Sequence, residues 1–271
     1  MGGEHRQDRI LKDICHFVVN YFVIVNMSVL WKHTLKNTAL SVGLFAVLFG
    51  LLWLAELLIP GLTLLKWNDP EWCLGIPASI IGVGYVLSIR DPENYTGFYA
   101  GILMSLLLAI QFCLQSNYDL TVLYICIFVP FQLKSVIQWK KSKGADEFSP
   151  SFLNMRGMLL SLLCFVVMII ADWLLVTYAI NHDSLTDGIV LKLTGALMIA
   201  SSVLSNFWLI YRKNDAWIYW VIYSIAGVAF YIEWGNAFSI VLFSFFLVIN
   251  AMAGIAWIRN TPPANYGWLR G

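Results

Sequence analysis

Long apolar runs alternate with short polar breaks along most of the chain. After a polar start, Met1 to Lys12, the run Ile14–Trp31 is apolar but interrupted by His16, Asn20 and Asn26. That pattern suits a segment lying in the membrane interface. Leu40–Leu65 is the first uninterrupted run. Trp72–Ile89, Thr96–Gln115, Leu120–Trp139, Met158–Ile180, Ile189–Tyr211, Trp217–Ile232 and Ala237–Ile258 follow. A helix of such length crosses about 30 Å of hydrocarbon. Trp217–Ile232 is the shortest and needs its aromatic ends at the headgroups. Backbone groups find no water in hydrocarbon, so each run must be helical. The pattern predicts an all-α polytopic membrane protein with eight spans.

The polar breaks differ in charge. Lys32, Lys36, Arg90, Lys140, Lys141, Lys143, Arg156, Arg212, Lys213 and Arg259 fall on one side of this topology. The alternate breaks hold Asp69, Glu71, Asp119, Asp183, Asp187 and Glu233, with Lys66 as their exposed cation. Excess Lys and Arg marks the cytoplasm, so the loop before Trp217 and the C-terminus are expected there.

Composition agrees with this class. Hydrophobic residues make up 59% and charged ones 12%, against about 25% charged in soluble domains. Mean hydropathy is +0.73. A net charge of +1 gives no field to attract nucleic acid. Cys15, Cys73, Cys113, Cys126 and Cys164 are scattered, without a Cys-x-x-Cys pair. His5, His16, His33 and His182 lie outside the core spans. No Gly-x-Ser-x-Gly, His-Glu-x-x-His or phosphate-cradling loop occurs. Catalysis, a metal site and a cofactor are therefore not expected.

Two stretches repeat a pattern. Arg90-Asp91-Pro92-Glu93-Asn94 precedes Tyr95 and Phe98; Arg212-Lys213-Asn214-Asp215 precedes Trp217 and Trp220. Gln132 lies seven residues before Trp139, and Asn250 seven before Trp257. Three spans plus one linking helix restore the starting side, so the halves share an orientation. This is a parallel 3+1+3 repeat, SWEET-like, with substrate expected near the midplane between the halves. The division is 1–71, a polar or interfacial segment plus one extra N-terminal transmembrane helix; 72–139, the first repeat; 140–184, a basic loop and linking helix; 185–259, the second repeat; and 260–271, a tail.

Candidate chemistry gathers around Tyr211 to Tyr223. Asn214-Asp215 turns the chain and can cap the next helix. Trp217 and Trp220 share a helix face that Tyr223 or Ser224 extends. Such a face suits a flat ring; the alternative is the aromatic belt of a membrane interface. Gln132 and Asn250 can each donate and accept to a substrate, or instead bond between helices for about 0.6 kcal/mol. Asn206 is a weaker candidate of the same kind. Pro130 is expected to free backbone groups near Gln132. Asp172 and Lys192 lie at similar depth, and an ion pair between them lowers the cost of burying either; proton coupling through Asp172 is the alternative.

Arg212-Lys213 with Trp217-x-x-Trp220, Asn94-Tyr95-x-Gly97, and the carboxamides leading to Trp139 and Trp257 resemble the PnuC family of vitamin transporters, over about Trp72 to Arg259. The resemblance implies a bacterial inner-membrane homotrimer with one path per protomer. It implies facilitated diffusion of nicotinamide riboside, trapped afterwards by a cytoplasmic kinase. Thiamine or riboflavin carriers of the same family, and a binding subunit of an ATP-driven importer, are the alternatives. Many members carry Gly three residues beyond the mid-span carboxamide. Here Ser135 and Ala253 stand instead, still small enough for close packing.

Overall fold

The computed structural model describes residues 29–58, 70–114, 118–141, 149–178 and 188–266. Eight long helices occur among them: α1 Val29–Leu58, α2 Pro70–Ile89, α3 Gly97–Leu114, α4, α5 Met155–Tyr178, α6 Ile189–Ile210, α7 Asp215–Trp234 and α8 Ala237–Arg259. Helix α4 runs through Tyr118–Leu123, a π-helical turn at Tyr124–Phe128, and Val129–Lys141. Seven of the eight hold a stretch long and apolar enough to cross a membrane; in α2 the apolar part, Leu74–Ile89, is shorter. The protein is thus a multi-pass helical membrane protein.

Some boundaries differ from expectation; α5 begins at Met155, three residues before the expected Met158. Helix α1 begins at Val29, so the polar stretch around Lys32 to Asn37 is helical rather than a flank of a span at Leu40. Its polar side chains have partners: Thr34 Oγ1 lies 2.8 Å from Thr96 Oγ1, Asn94 Nδ2 donates to Thr34 Oγ1 (3.1 Å), and Asn37 Nδ2 donates to Ser88 Oγ (3.3 Å). Hydrogen bonding removes the cost that ends a hydropathy run. Helix α7 extends to Asp215–Trp234, two residues beyond the expected span at each end, and so gains length to cross. Most of the interfacial segment expected at Ile14–Trp31, the end of the span expected at Leu40–Leu65 and most of the basic loop expected at Lys140–Glu147 lie outside the described residues.

The helices close a ring. Helix α2 packs on α3, α3 on α4, α4 on α6, α6 on α7, α7 on α8, and α8 on α2. Helix α1 packs on α2, and α5 on α6. Among the spans α5 is the least buried and α6 the most. The segments assigned from charge to one side meet at one end of the bundle. Thr34 reaches Asn94, Arg212 reaches Trp139, Lys213 reaches Ser151, and Asn214 reaches Thr261.

Pro130 marks the irregular part of α4. Having no N–H, it cannot donate one turn back. The π turn precedes it directly, with Val129 N–H donating to the Tyr124 carbonyl, five residues back. A turn of this kind rotates the side chains beyond it, and π turns frequently sit at functional sites. Gln132 stands just past it.

Candidate functional site

A chain of aromatic contacts crosses the ring at its basic end. Phe98 of α3 meets Trp139 of α4 edge to face (4.7 Å, 86°). Trp217 of α7 meets Trp257 of α8 in the same way (5.4 Å, 76°). Trp139 and Trp257 then meet each other at 5.6 Å. Both indoles are fully buried, and each donates to the helix end of the other side: Trp139 Nε1 to the Leu209 carbonyl (2.9 Å), Trp257 Nε1 to the Ile89 carbonyl (3.1 Å). The Leu209 carbonyl, at the end of α6, also accepts from Arg212 N–H (3.1 Å), whereas the Ile89 carbonyl ends α2, where helix carbonyls lack an intrahelical donor.

The carboxamides sit deeper along the same helices. Ser105 Oγ of α3 donates to Gln132 Oε1 (3.3 Å), and Asn250 Nδ2 donates to Ser224 Oγ of α7 (3.0 Å) and to the Trp220 carbonyl (3.4 Å). Gln132 is 1% exposed and Asn250 is wholly buried. Gly101 lies against Gln132 and the Tyr85 ring: a Cβ there would stand 3.1 Å from both. The contacts therefore match Phe98 with Trp217, Ser105 with Ser224, Gln132 with Asn250 and Trp139 with Trp257. Phe98, rather than Tyr95, is the counterpart of Trp217, one turn later than the loop alignment implies. Gly101 stands where the other side has Trp220.

Trp217 and Trp220 are 3% and 8% exposed, so they are interior residues rather than a headgroup belt. Their indole Nε1 atoms have no hydrogen-bond partner, and neither do Asn250 Oδ1 and Tyr85 Oη. A buried polar atom without a partner costs about 1–3 kcal/mol. Several together, next to bonded carboxamides, are what a site for a polar ring compound offers. Half-buried Tyr223 meets Trp220 edge to face (5.4 Å) and Phe243 at 5.3 Å. Asn206 is buried, but its Nδ2 turns back to the Ser202 carbonyl of its own helix (2.8 Å), which commits that donor elsewhere. Asp172 and Lys192 are both half-buried, on the packed helices α5 and α6.

Sequence reading missed Tyr85 and Ser105, and it placed Ser224 only as an extension of the Trp217–Trp220 face, not as the partner of Asn250. Serines are ordinary in apolar helices, and only their matching distances before Gln132 and Asn250 could have marked them.

The loop that orients α7 is tightly held. Arg212 adopts φ 51°, a strained value for a residue with a side chain. Its guanidinium lies 4.5 Å over the Trp139 ring, and Nη2 donates to the Trp139 carbonyl (3.3 Å). Burial draws its pKa down to about 10, with Glu93 pulling the other way, so it stays cationic at neutral pH. Asn214 occupies the cap position of α7, but its side chain makes no cap bond. Instead it donates to Thr261 Oγ1 (2.7 Å), while Asp215 Oδ2 accepts from Leu153 N–H (2.8 Å). Ser151 pairs with the loop through Ser151 N–H to the Arg212 carbonyl (3.2 Å) and Asn214 N–H to the Ser151 carbonyl (2.9 Å).

The helical membrane bundle, with indoles, carboxamides and unpartnered polar atoms gathered in its interior, belongs by its family match to the class of transporters. The family model described as nicotinamide mononucleotide transporter matches residues 72–259, and the chain belongs to that family, the PnuC family. Its fold is similar to a crystal structure of the vitamin B3 transporter PnuC, with a TM-score of 0.59 and 16% identity over 84% of this chain and 95% of that one. No curated protein sequence matches it significantly.

Proposed function

We propose that the chain carries nicotinamide riboside by facilitated diffusion, on a site formed by Trp217, Trp220 and Tyr223 with Gln132 and Asn250. The observation that carries this reading is the set of buried, unpartnered atoms at Trp217 Nε1, Trp220 Nε1 and Asn250 Oδ1. Two indole donors suit carbonyl and sugar oxygens, and a carboxamide oxygen suits an amide or hydroxyl donor. A cationic pyridinium is attracted to indole faces as well as stacked on them. The candidate side chains carry no cation, whereas a phosphate dianion buried without one would be heavily penalised. This chemistry favours the unphosphorylated riboside over its mononucleotide. Asn206 joins the site in this reading once its own-helix bond opens.

The matched contacts of the two sides support a parallel 3+1+3 arrangement. In it 72–139 and 185–259 are the repeats, 140–184 holds the linking helix α5, and α1 is the extra N-terminal helix. The basic end of the bundle, with the 260–271 tail, is the cytoplasmic end of a bacterial inner-membrane protein. Three protomers assemble, each with its own path. Rocking of one half against the other would open the closed site alternately to each side. A cytoplasmic kinase traps the riboside by adding charge. Asp172 and Lys192 form a structural pair between α5 and the second half, so no proton relay is needed.

The test is calorimetric titration and thermal shift with nicotinamide riboside, its mononucleotide, thiamine and riboflavin. The riboside alone should stabilise the protein, because a ligand shifts unfolding by mass action. Equal or stronger stabilisation by the mononucleotide, or by thiamine or riboflavin, contradicts the assignment.

A further inference from the structure

Helices α5 and α6 leave a cleft of about 470 Å³ near the basic end of the bundle, away from Trp217 and Trp220. Leu160 and Cys164 of α5 form one wall. Leu204, Phe207, Trp208 and Tyr211 form the other. The polar groups at its floor are already satisfied among themselves: Trp208 Nε1 donates to Ser161 Oγ (2.8 Å), which lies 2.6 Å from Tyr219 Oη. The cleft therefore offers its interior to an apolar occupant. Leu160 is 58% exposed, so the opening faces sideways, where a spanning helix meets lipid.

Its mouth is cationic. Lys213 lines the edge and gives one bond to Ser151 Oγ (2.8 Å), leaving two ammonium hydrogens for another acceptor. Lys134 Nζ lies 3.4 Å from Tyr211 Oη and 5.6 Å from the centre of that ring. Arg156 stands four residues before Leu160, on the same face of α5 and exposed. The nearby carboxylate, Asp215, takes the Leu153 N–H and also attracts the Lys213 ammonium, so Lys134 and Arg156 supply the net positive charge of the mouth. Apolar walls below and three cations at the headgroup level match an acyl chain below a phosphodiester. Basic pockets between spanning helices bind acidic headgroups for this reason.

We propose that the α5–α6 cleft binds one acidic phospholipid from the leaflet on the side of the basic loops. Its acyl chain lies between Leu160 and Phe207, and its phosphate meets Lys134, Arg156 and Lys213. Because Lys213 belongs to the loop that opens α7, the lipid steadies the helix carrying Trp217 and Trp220.

Native mass spectrometry of the full-length protein, equilibrated with phosphatidylglycerol or phosphatidylcholine of identical chains, tests this. The wild type should retain phosphatidylglycerol severalfold over phosphatidylcholine. The double variant Lys134→Gln, Lys213→Gln should bring the two lipids level. Leu160→Trp and Cys164→Phe fill the cleft from outward-facing positions, so the bundle core is untouched, and each should reduce retention of both lipids. Equal retention of the two lipids by the wild type overturns the proposal. So does undiminished phosphatidylglycerol in the variants. A changed oligomeric state of Leu160→Trp with lipid retention intact would assign the cleft to a second copy of the chain instead.

Discussion

Trp220→Phe separates ligand binding from packing more cleanly than removal of the whole side chain. Phenylalanine keeps an aromatic face for stacking and for the edge contact to Tyr223, and loses only the pyrrole part of the indole. The lost burial costs about 1 kcal/mol. The indole N–H is buried without a partner, so removing it returns about 1–3 kcal/mol of desolvation cost. The empty protein should therefore unfold within a few degrees of the wild type. In the complex, by contrast, the N–H donates to the substrate, and a net hydrogen bond of about 0.5–1.5 kcal/mol disappears. Binding also relieves the roughly 1–3 kcal/mol that the unpartnered N–H costs the empty wild type, so the total loss is about 1.5–4.5 kcal/mol and, at about 1.4 kcal/mol per factor of ten, affinity should fall at least about tenfold. Trp220→Ala should lose the stacking as well, about 1–3 kcal/mol or roughly 5- to 150-fold. Calorimetric titration gives affinity and thermal unfolding without ligand gives stability. An unchanged affinity in Trp220→Phe, or a melting loss as large as its binding loss, would refute the assignment of this N–H to the substrate.

Asn250→Leu should leave Ser224 bonded to the Trp220 carbonyl, yet lower riboside affinity about tenfold, read by the same titration. Gly227 of α7 receives the Phe243 ring of α8 where a Cβ would stand; Gly227→Ala should cost about 1–3 kcal/mol of stability through overpacking, read by thermal unfolding. Arg212→Gln removes the charge over Trp139 and should cost about 1–2 kcal/mol, with slower riboside exchange as α7 loses its anchor. Asp172→Asn should destabilise the protein, and adding Lys192→Met should recover part of the loss; additive effects would exclude the pair.

The spans were legible because hydropathy reports where water is absent, and α3, α4, α6 and α8 begin and end within about two residues of expectation. Helix α1 was not, because His33, Thr34 and Asn37 read as polar flank until Asn94, Thr96 and Ser88 are brought against them from about sixty residues away. The matching carboxamides were visible in sequence because Gln132 and Asn250 are costly in hydrocarbon. Their serine partners were not, since a serine bonding its own helix and one bonding a neighbour look alike. The loop motif showed Arg212 as a basic residue on one side of the membrane. Its left-handed backbone and its place over Trp139 depend on the end of α4, which no local pattern encodes. Asn214 likewise has a capping residue's identity and position, but its carboxamide is turned so that Nδ2 donates to Thr261 Oγ1, which leaves Oδ1, the atom that would accept the cap bond, buried without a partner.

The central claim, a passive carrier of an unphosphorylated riboside, is met most directly by reconstituted protein in kinase-free liposomes. Labelled nicotinamide riboside should exchange in both directions without ATP. It should reach the outside concentration inside and no more, whether or not a proton or sodium gradient is imposed. Accumulation above the outside level under a gradient would contradict passive transport and direct attention to Asp172 as a coupling residue.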